Sequence, residues 1–139
     1  MSDLERFGVS MSAKLLQAFD DRIARSGYGS RSEALRDIIR DYLIASEWEA
    51  GAGDVVGTVT IVYDHQTREL EQALTEVQHD YHDLVLCSTH VHLDEHYCLE
   101  VIIVRGTPEQ VHGLGERLIS ARGVKHGKIV CTTSGRALA

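Results

Sequence analysis

Residues 89–104 read THVHLDEHYCLEVIIV, two apolar runs on either side of a short polar turn. Alternate residues of a β-strand point to the same face, so His90 and His92 project together. A hairpin centred on that turn sets His92 opposite Cys98. In the same register His90 lies opposite Glu100, and directly opposed side chains are within contact distance. The stretch therefore predicts a β-hairpin that gathers two imidazoles, a thiol and a carboxylate.

These groups indicate a metal site, because imidazole and thiolate are the ligands that late first-row transition metals prefer. A closed site needs another donor, and His79 or His82, at the end of the preceding predicted helix, could supply it from a neighbouring chain. A square plane of three nitrogens and one sulfur suits Ni(II) or Cu(II), whereas a tetrahedron suits Zn(II). Glu100 is better placed to orient a ligand through a hydrogen bond. The alternative interpretation is a strand with scattered core histidines and a buried cysteine, and the other histidines, including His65, are expected at the surface.

The hairpin belongs to a longer pattern over residues 55–135. A strand rich in β-branched residues and a helix over 66–80 precede it, and a helix and a last strand follow it. The order βαββαβ is that of ferredoxin-like domains, in which both helices cover one face of an antiparallel sheet. Counting faces assigns the two hairpin histidines, Cys98 and Glu100 to the opposite, free face. We therefore expect the metal site at an interface between subunits.

Residues 1–46 form a second predicted module, and the glycine-rich stretch 47–54 is a predicted linker. Residues 6–11 alternate between apolar and polar side chains, the pattern of a short half-buried strand. Ser12 and Ser30 precede apolar residues at helical spacing and are placed to cap two helices. So small a unit needs a partner to bury a core, and the simplest solution pairs the strands of two chains in an antiparallel ribbon.

Such a ribbon would present Arg6, Gly8 and Ser10 outward from both chains. A two-stranded ribbon fits the major groove of DNA, where Arg reads guanine. The backbone amides at the start of the second helix, at Arg31 and Ser32, would then face a phosphate. A plain dimerisation ribbon with a solvated polar face explains the same pattern equally well.

The charge distribution separates the two modules. The chain has 139 residues and a formal net charge of -7, which by itself argues against a nucleic-acid partner. Residues 1–46, however, balance seven basic residues against seven acidic ones, so all of the excess acid lies in the C-terminal part. No apolar run is long enough to span a bilayer, and the first residues lack a signal-peptide pattern. We expect a cytoplasmic protein whose three cysteines stay reduced.

Three groups of residues resemble the nickel-responsive transcriptional regulators of the NikR family. They are Arg6–Ser10, Arg31–Asp37, and the set His79, His90, His92 and Cys98–Glu100; residues 123–127 also fit. The resemblance covers nearly the whole chain. It implies an α+β protein in which a ribbon-helix-helix domain that dimerises and binds DNA is joined to an ACT-like regulatory domain, with four chains forming a homotetramer. It further implies a repressor of nickel uptake that binds operator DNA with Ni(II) as corepressor.

The resemblance also implies a ligand set. Square-planar Ni(II), one ion per subunit, would be bound by His90, His92 and Cys98 of one subunit and by His79 of another. Gln78 and Glu100 would supply supporting hydrogen bonds.

On the DNA-binding side, the resemblance makes Arg6, Gly8 and Ser10 the residues that read bases, although Gly8 departs from members with a hydroxyl there. Glu33 and Asp37 match positions that help to hold a potassium-like cation between the two domains. Two carboxylates one helical turn apart on a solvated surface are the alternative interpretation of that pair.

Three other functions compete with a nickel regulator. A regulator of the same architecture could sense copper, cobalt or zinc, since metal affinities depend on the ion as much as on the site. A metalloenzyme would need an open coordination position and a general base, and no nucleophile pairs with a base in this sequence. A sensor of a small molecule would leave His90 and Cys98 without a role. We therefore expect no enzymatic activity, no small-molecule substrate and no membrane partner.

Overall fold

A computed structural model describes residues 3–51, 53–136 and 138, and the chain divides between Asp41 and Tyr42 into two compact units. The elements in chain order are α1 (Ala13–Arg25), α2 (Arg31–Glu49), β1 (Val55–Asp64), α3 (Leu70–Asp80), β2 (Val85–His92), β3 (Tyr97–Gly106), α4 (Pro108–Ile119) and β4 (Val124–Thr133). Across the described residues, no helix combines the length and the apolar character that crossing a membrane requires.

The first unit contains α1 and the start of α2, and both helices begin at the predicted caps. Ser12 Oγ accepts a hydrogen bond from the Leu15 amide at 3.2 Å, and Ser30 Oγ accepts one from the Glu33 amide at 3.2 Å. Residues 3–12 form neither helix nor strand in the single chain, and the side chain of Phe7 is 72% exposed. A strand needs a second strand for its ladder, so the paired ribbon stays a prediction.

Helix α2 extends three residues into the segment predicted as a linker. It ends at Glu49, and Trp48 is 9% exposed in the hydrophobic core of the second unit. The indole Nε1 donates a hydrogen bond to the carbonyl oxygen of Thr132 at 2.8 Å. Glycine content suggested a linker, but Gly51, with φ +68°, lies after the helix, where a left-handed residue commonly follows the last turn.

Replacing Trp48 by Phe is expected to destabilise the second unit by about 1 kcal/mol, because the Thr132 carbonyl loses its indole donor. Urea unfolding followed by circular dichroism measures the change. Tyr42→Phe is the matched control, since Tyr42 is 74% exposed. Equal unfolding midpoints for the Trp48 variant and the natural chain would show that the bond contributes nothing.

The second unit has the predicted βαββαβ order. Its four strands are antiparallel in the order β2-β3-β1-β4, so β1 and β3 are the central strands. One face of the sheet is buried against α3 and α4, with a core that includes Val59, Ile102 and Leu114. Helix α3 begins at Leu70 rather than Gln66, because residues 66–69 form turns that end at Glu69, with φ +65°.

Candidate metal centre

The hairpin register is the one that the sequence predicts. In the pairing of β2 with β3, His92 lies opposite Cys98 and His90 lies opposite Glu100. The Sγ atom of Cys98 is 3.4 Å from His92 Nδ1, and the centroids of the two histidine rings are 5.1 Å apart. The two imidazoles and the thiol therefore share one end of one sheet face.

That face is not the one predicted. The residues of β3 that pack under the helices are Cys98, Glu100, Ile102 and Val104, each at most 7% exposed. The assignment of the ligands to the free face was therefore wrong. Alternation could not decide between the faces, because the other side of β3 carries Leu99, Val101 and Ile103 and is apolar as well.

Glu100 is buried because its carboxylate has three hydrogen-bond donors. Oε1 accepts from the Tyr63 hydroxyl at 3.1 Å, and Oε2 accepts from Gln78 Nε2 at 2.8 Å and from Ser88 Oγ at 2.7 Å. Burial and then the charge of Glu100 raise the pKa of Tyr63 well above its usual range. The carboxylate thus ties β1, α3 and β2 to β3, and it brings Gln78 and Glu100 together as the resemblance implied. Ser88 was missed, although it shares the strand phase of His90 and His92.

Cys98 belongs to two groups of potential ligands. One group contains His65, His92 and Cys98, and the other contains Glu71, His90 and Cys98; within each, all donor atoms lie within 4.8 Å of one another. The two hairpin histidines therefore approach the thiol in separate groups. Sulfur, nitrogen and carboxylate oxygen are donors that a divalent transition-metal ion accepts, so the residues present fit such an ion.

His65 was expected at the surface, and that expectation was wrong. It follows β1 and is partly buried, with Nε2 2.7 Å from the carbonyl oxygen of Glu95 and its ring edge-on to His92 at 5.1 Å. Tyr63 pairs with Cys98 across β1 and β3. Knowledge of that pairing would have found His65, since it lies two residues beyond Tyr63.

The surroundings of Cys98 are acidic. Burial raises the pKa of its thiol, and the carboxylates of Glu71, Asp64, Asp94 and Glu100 raise it further. A divalent cation at the thiol would oppose all of these effects, because its charge favours the thiolate. The site is therefore complementary to a metal cation in charge as well as in donor type.

His79 lies in the last turn of α3 and is exposed. The centroid of its ring is 6.1 Å from the centroid of the His82 ring. Among the described residues, neither histidine joins a donor group with Cys98 in the single chain. The structure thus gathers His90, His92 and Cys98 without the fourth predicted ligand.

The predicted DNA contacts lie in the first unit. Arg6, Gly8 and Ser10 are exposed in the segment before α1. The Arg31 guanidinium makes two hydrogen bonds to Asp20, each of 2.8 Å, and they lower the pKa of that carboxyl. This pair joins the start of α2 to α1, with Ser32 exposed in the next position.

Both predicted ligands of a second cation have intramolecular partners. Glu33 Oε2 accepts a hydrogen bond from the Gly29 amide at 3.1 Å. Asp37 Oδ2 accepts one from the Tyr28 hydroxyl at 2.8 Å, and its Oδ1 is 3.5 Å from Arg40. These carboxylates stabilise the connection between α1 and α2.

Two family models match consecutive parts of the chain. Residues 5–46 match the ribbon-helix-helix proteins of the copG family, and residues 56–132 match the NikR C terminal nickel binding domain. Among solved structures, an uncharacterized protein of Thermotoga maritima is similar with a TM-score of 0.52 and 16% identity, covering 58% of this chain and 100% of its own. That likeness supports the fold alone.

Curated proteins resemble the chain from end to end. One from Geobacter sulfurreducens is 52% identical over 99% of both chains. One from Thermococcus onnurineus is 51% identical over 97% of this chain and 98% of its own, and one from Pyrococcus horikoshii is 48% identical over 98% and 99%. Each is named "Putative nickel-responsive regulator". The nickel-binding domain and the full-length relatives together confirm the resemblance seen in the sequence: this chain belongs to the NikR family of nickel-responsive regulators, ribbon-helix-helix DNA-binding proteins that are not enzymes.

Proposed function

We propose that this protein is a repressor that binds operator DNA more tightly when Ni(II) is bound around Cys98, and that it limits nickel uptake in the cytoplasm. The observation that carries the proposal is the hairpin register, which opposes His92 to Cys98 on the face that α3 covers. Helix α3 contributes Gln78 to the same cluster and carries His79 in the next position. A metal ion at this cluster can therefore act on that helix.

Four residues would bind one Ni(II) per subunit: His90, His92 and Cys98 of one subunit and His79 of a neighbouring one. The exposure of His79, together with its absence from the donor groups of the described chain, supports its use by another subunit. Shared ligation requires an oligomer, and we propose a homotetramer. The bond between Gln78 and Glu100 would fix the turn of α3 that carries His79. When bound, the ion supplies positive charge to the thiolate and joins two chains.

Repression would follow from linkage between the two ligands. If nickel and operator DNA favour the same arrangement of the tetramer, each strengthens binding of the other by the same factor, commonly about 5- to 150-fold. Metal scarcity would then release the operator.

For DNA recognition, we propose that residues 6–11 of two chains pair as a ribbon that enters the major groove. Phe7 and Val9 are 72% and 59% exposed in the single chain, and such a pairing would bury them. Arg6, Gly8 and Ser10 would then face the bases. A Cβ added at Gly8 would meet nothing within 4 Å, so the fold of the single chain does not require glycine there. A contact with DNA would explain why it has no side chain.

We also propose that Glu33 and Asp37 take part in a site for a potassium-like cation. Such an ion needs several oxygen ligands, and it would have to share these carboxylates with Gly29 and Tyr28.

The competing function is a sensor of copper, cobalt or zinc with the same architecture. The visible absorption spectrum of the nickel-loaded protein shows whether the site is square planar, the geometry that suits Ni(II) or Cu(II), or tetrahedral, the geometry that suits Zn(II).

Replacing His79 by Ala is expected to abolish the nickel dependence of operator binding, a loss of about 5- to 150-fold in affinity at saturating Ni(II). The reason is that the site loses the ligand that joins two subunits. Gel-shift titrations with and without stoichiometric Ni(II) measure the effect. His82→Ala is the matched control, because His82 lies in the same exposed region. Loss of the response in the His82 variant alone would contradict the assigned ligand set, and equal operator affinity of the natural protein with and without nickel would rule out the switch.

A further inference from the structure

The carboxylates of Glu71, Asp64, Asp94 and Glu100 all act on Cys98, and three of the four accept hydrogen bonds from other groups of the chain. Asp64 Oδ1 accepts a hydrogen bond from the Gln66 amide, and Asp94 Oδ1 accepts from the amides of His96 and Tyr97. Glu100 has its three donors. Within the described ranges, the carboxylate of Glu71 makes neither a hydrogen bond nor an ion pair, yet its oxygen lies within 4.8 Å of the donor atoms of His90 and Cys98.

We propose that Glu71, His90 and Cys98 form a second metal-binding mode, contained within one chain, that holds a zinc-like or cobalt-like dication and does not use His79. The proposal builds on the proposed nickel site, with which it shares two ligands. Helix α3 supplies the oxygen, β2 the nitrogen and β3 the sulfur, so all three donors come from one subunit.

The donor set suits these ions. Zn(II) accepts Cys, His and Glu in four-coordinate tetrahedral sites and takes water as a fourth ligand when three protein ligands are present. Metal–ligand bonds of about 2.0–2.3 Å put tetrahedral donors roughly 3.3–3.8 Å apart. Since the three atoms already lie within 4.8 Å of one another, closure needs shifts of about 1 Å. The side chains of Glu71 and His90 are exposed, so they have room for this movement, whereas Cys98 is buried.

The local context of Glu71 supports a ligand rather than a structural role. It lies in the first turn of α3, where a carboxylate stabilises the helix dipole. That effect explains an acidic residue in the turn, but it does not require the carboxylate to point at a thiol. Glu76 on the same helix behaves differently, because its Oε1 accepts a hydrogen bond from Gln72 Nε2 at 3.2 Å.

The two modes would have opposite consequences for signalling. Nickel bound with His79 joins two chains, whereas a dication held by Glu71 uses ligands of one chain and leaves the subunits as they were. Zinc or cobalt could therefore occupy His90 and Cys98 without producing the response to nickel. Glu71 would then be a residue that determines which metal is sensed.

The test compares Glu71→Gln with the control Glu76→Gln in the full-length protein. Co(II) titration is followed by its thiolate charge-transfer and ligand-field absorption, Zn(II) by competition with Co(II), and Ni(II) by its own spectrum. Loss of a direct ligand should weaken Zn(II) and Co(II) binding at least as much as loss of an outer-shell partner does, which is about tenfold or more. The Ni(II) spectrum should stay unchanged in both variants, and Ni(II) affinity should fall less than Zn(II) or Co(II) affinity in the Glu71 variant, because Glu71 acts on nickel only through its charge. Thermal unfolding of the metal-free proteins should coincide.

Unchanged Zn(II) and Co(II) affinity in the Glu71 variant would overturn the proposal. Equal weakening of all three metals would overturn it as well, because Glu71 would then act as a general negative charge. A His79→Ala variant separates this proposal from the proposed function. It should keep zinc binding while losing the nickel spectrum; if both metals bind as in the natural protein, the nickel site is wrong but the zinc mode stands.

Discussion

A Cys98→Ser variant is expected to lose nickel-dependent operator binding while keeping its fold. Cys98 is the member that both donor groups share, and among the described residues neither group contains another cysteine. A serine hydroxyl stays protonated at neutral pH and is a harder, weaker ligand for nickel than a thiolate. Operator affinity measured with saturating Ni(II) should fall to its metal-free value, about 5- to 150-fold lower. Gel-shift titration measures the operator affinity, and equilibrium dialysis measures bound nickel.

The matched control for that variant is Cys87→Ser. Cys87 lies on β2, where it pairs with Ile103 of β3, and its side chain is exposed. It belongs to neither donor group. It should bind nickel and operator as the natural protein does. Persistence of nickel-dependent binding in the Cys98 variant, with unchanged thermal unfolding, would refute the thiolate-centred site.

The second large effect is expected at Glu100. Replacement by Ala removes the acceptor of three hydrogen bonds. The donor groups of Tyr63, Gln78 and Ser88 then lose their acceptor in a region that is only partly open to water. Each unsatisfied buried donor costs about 1–3 kcal/mol, although water can reach some of the space, so we expect a loss of about 2–4 kcal/mol in the free energy of unfolding. For a unit of this size, the melting temperature should fall by roughly 10 °C or more.

Differential scanning calorimetry of the metal-free protein measures this effect, and Glu116→Ala, an exposed carboxylate of α4, is the control. The melting temperature of a Glu100→Gln variant should lie between those of Glu100→Ala and Glu116→Ala. The glutamine amide oxygen can accept hydrogen bonds, whereas its NH₂ group opposes the donors of Gln78 and Ser88. A melting temperature that does not change in Glu100→Ala would mean that the three bonds are replaced by water at no cost.

The element order and the hairpin register followed from local rules. Alternation in β2 and β3 and a polar turn are enough to set His92 against Cys98, and Ser12 and Ser30 mark where the first two helices begin. The face of the sheet that carries the ligands could not be predicted in this way, because β3 has apolar residues on both sides. The charge of Glu100 favoured the free face, whereas Glu100 is buried. Burial of that carboxylate depends on donors from three other elements, which no local pattern reveals.

The unpredicted members of the cluster depend on tertiary structure. His65 reaches the site only because β1 pairs with β3, and Glu71 reaches it only because the first turn of α3 lies over the same end of the sheet. The spacing of these residues from Cys98 in the sequence matches neither helix nor strand periodicity, so no local pattern predicts the contact. Trp48 was assigned to a linker for a similar reason, since its burial depends on Thr132 and His112 from the far end of the chain.

The burial of Trp48 provides a label-free optical signal. The chain has a single tryptophan, so all indole fluorescence reports on the end of α2. There the Trp48 ring packs edge-on against that of His112, with ring centroids 5.1 Å apart. A shift of that helix end on metal loading would change the wavelength or the quenching of the emission. Stopped-flow recording in the unmodified protein could then time the arrival of the structural change against the arrival of the ion.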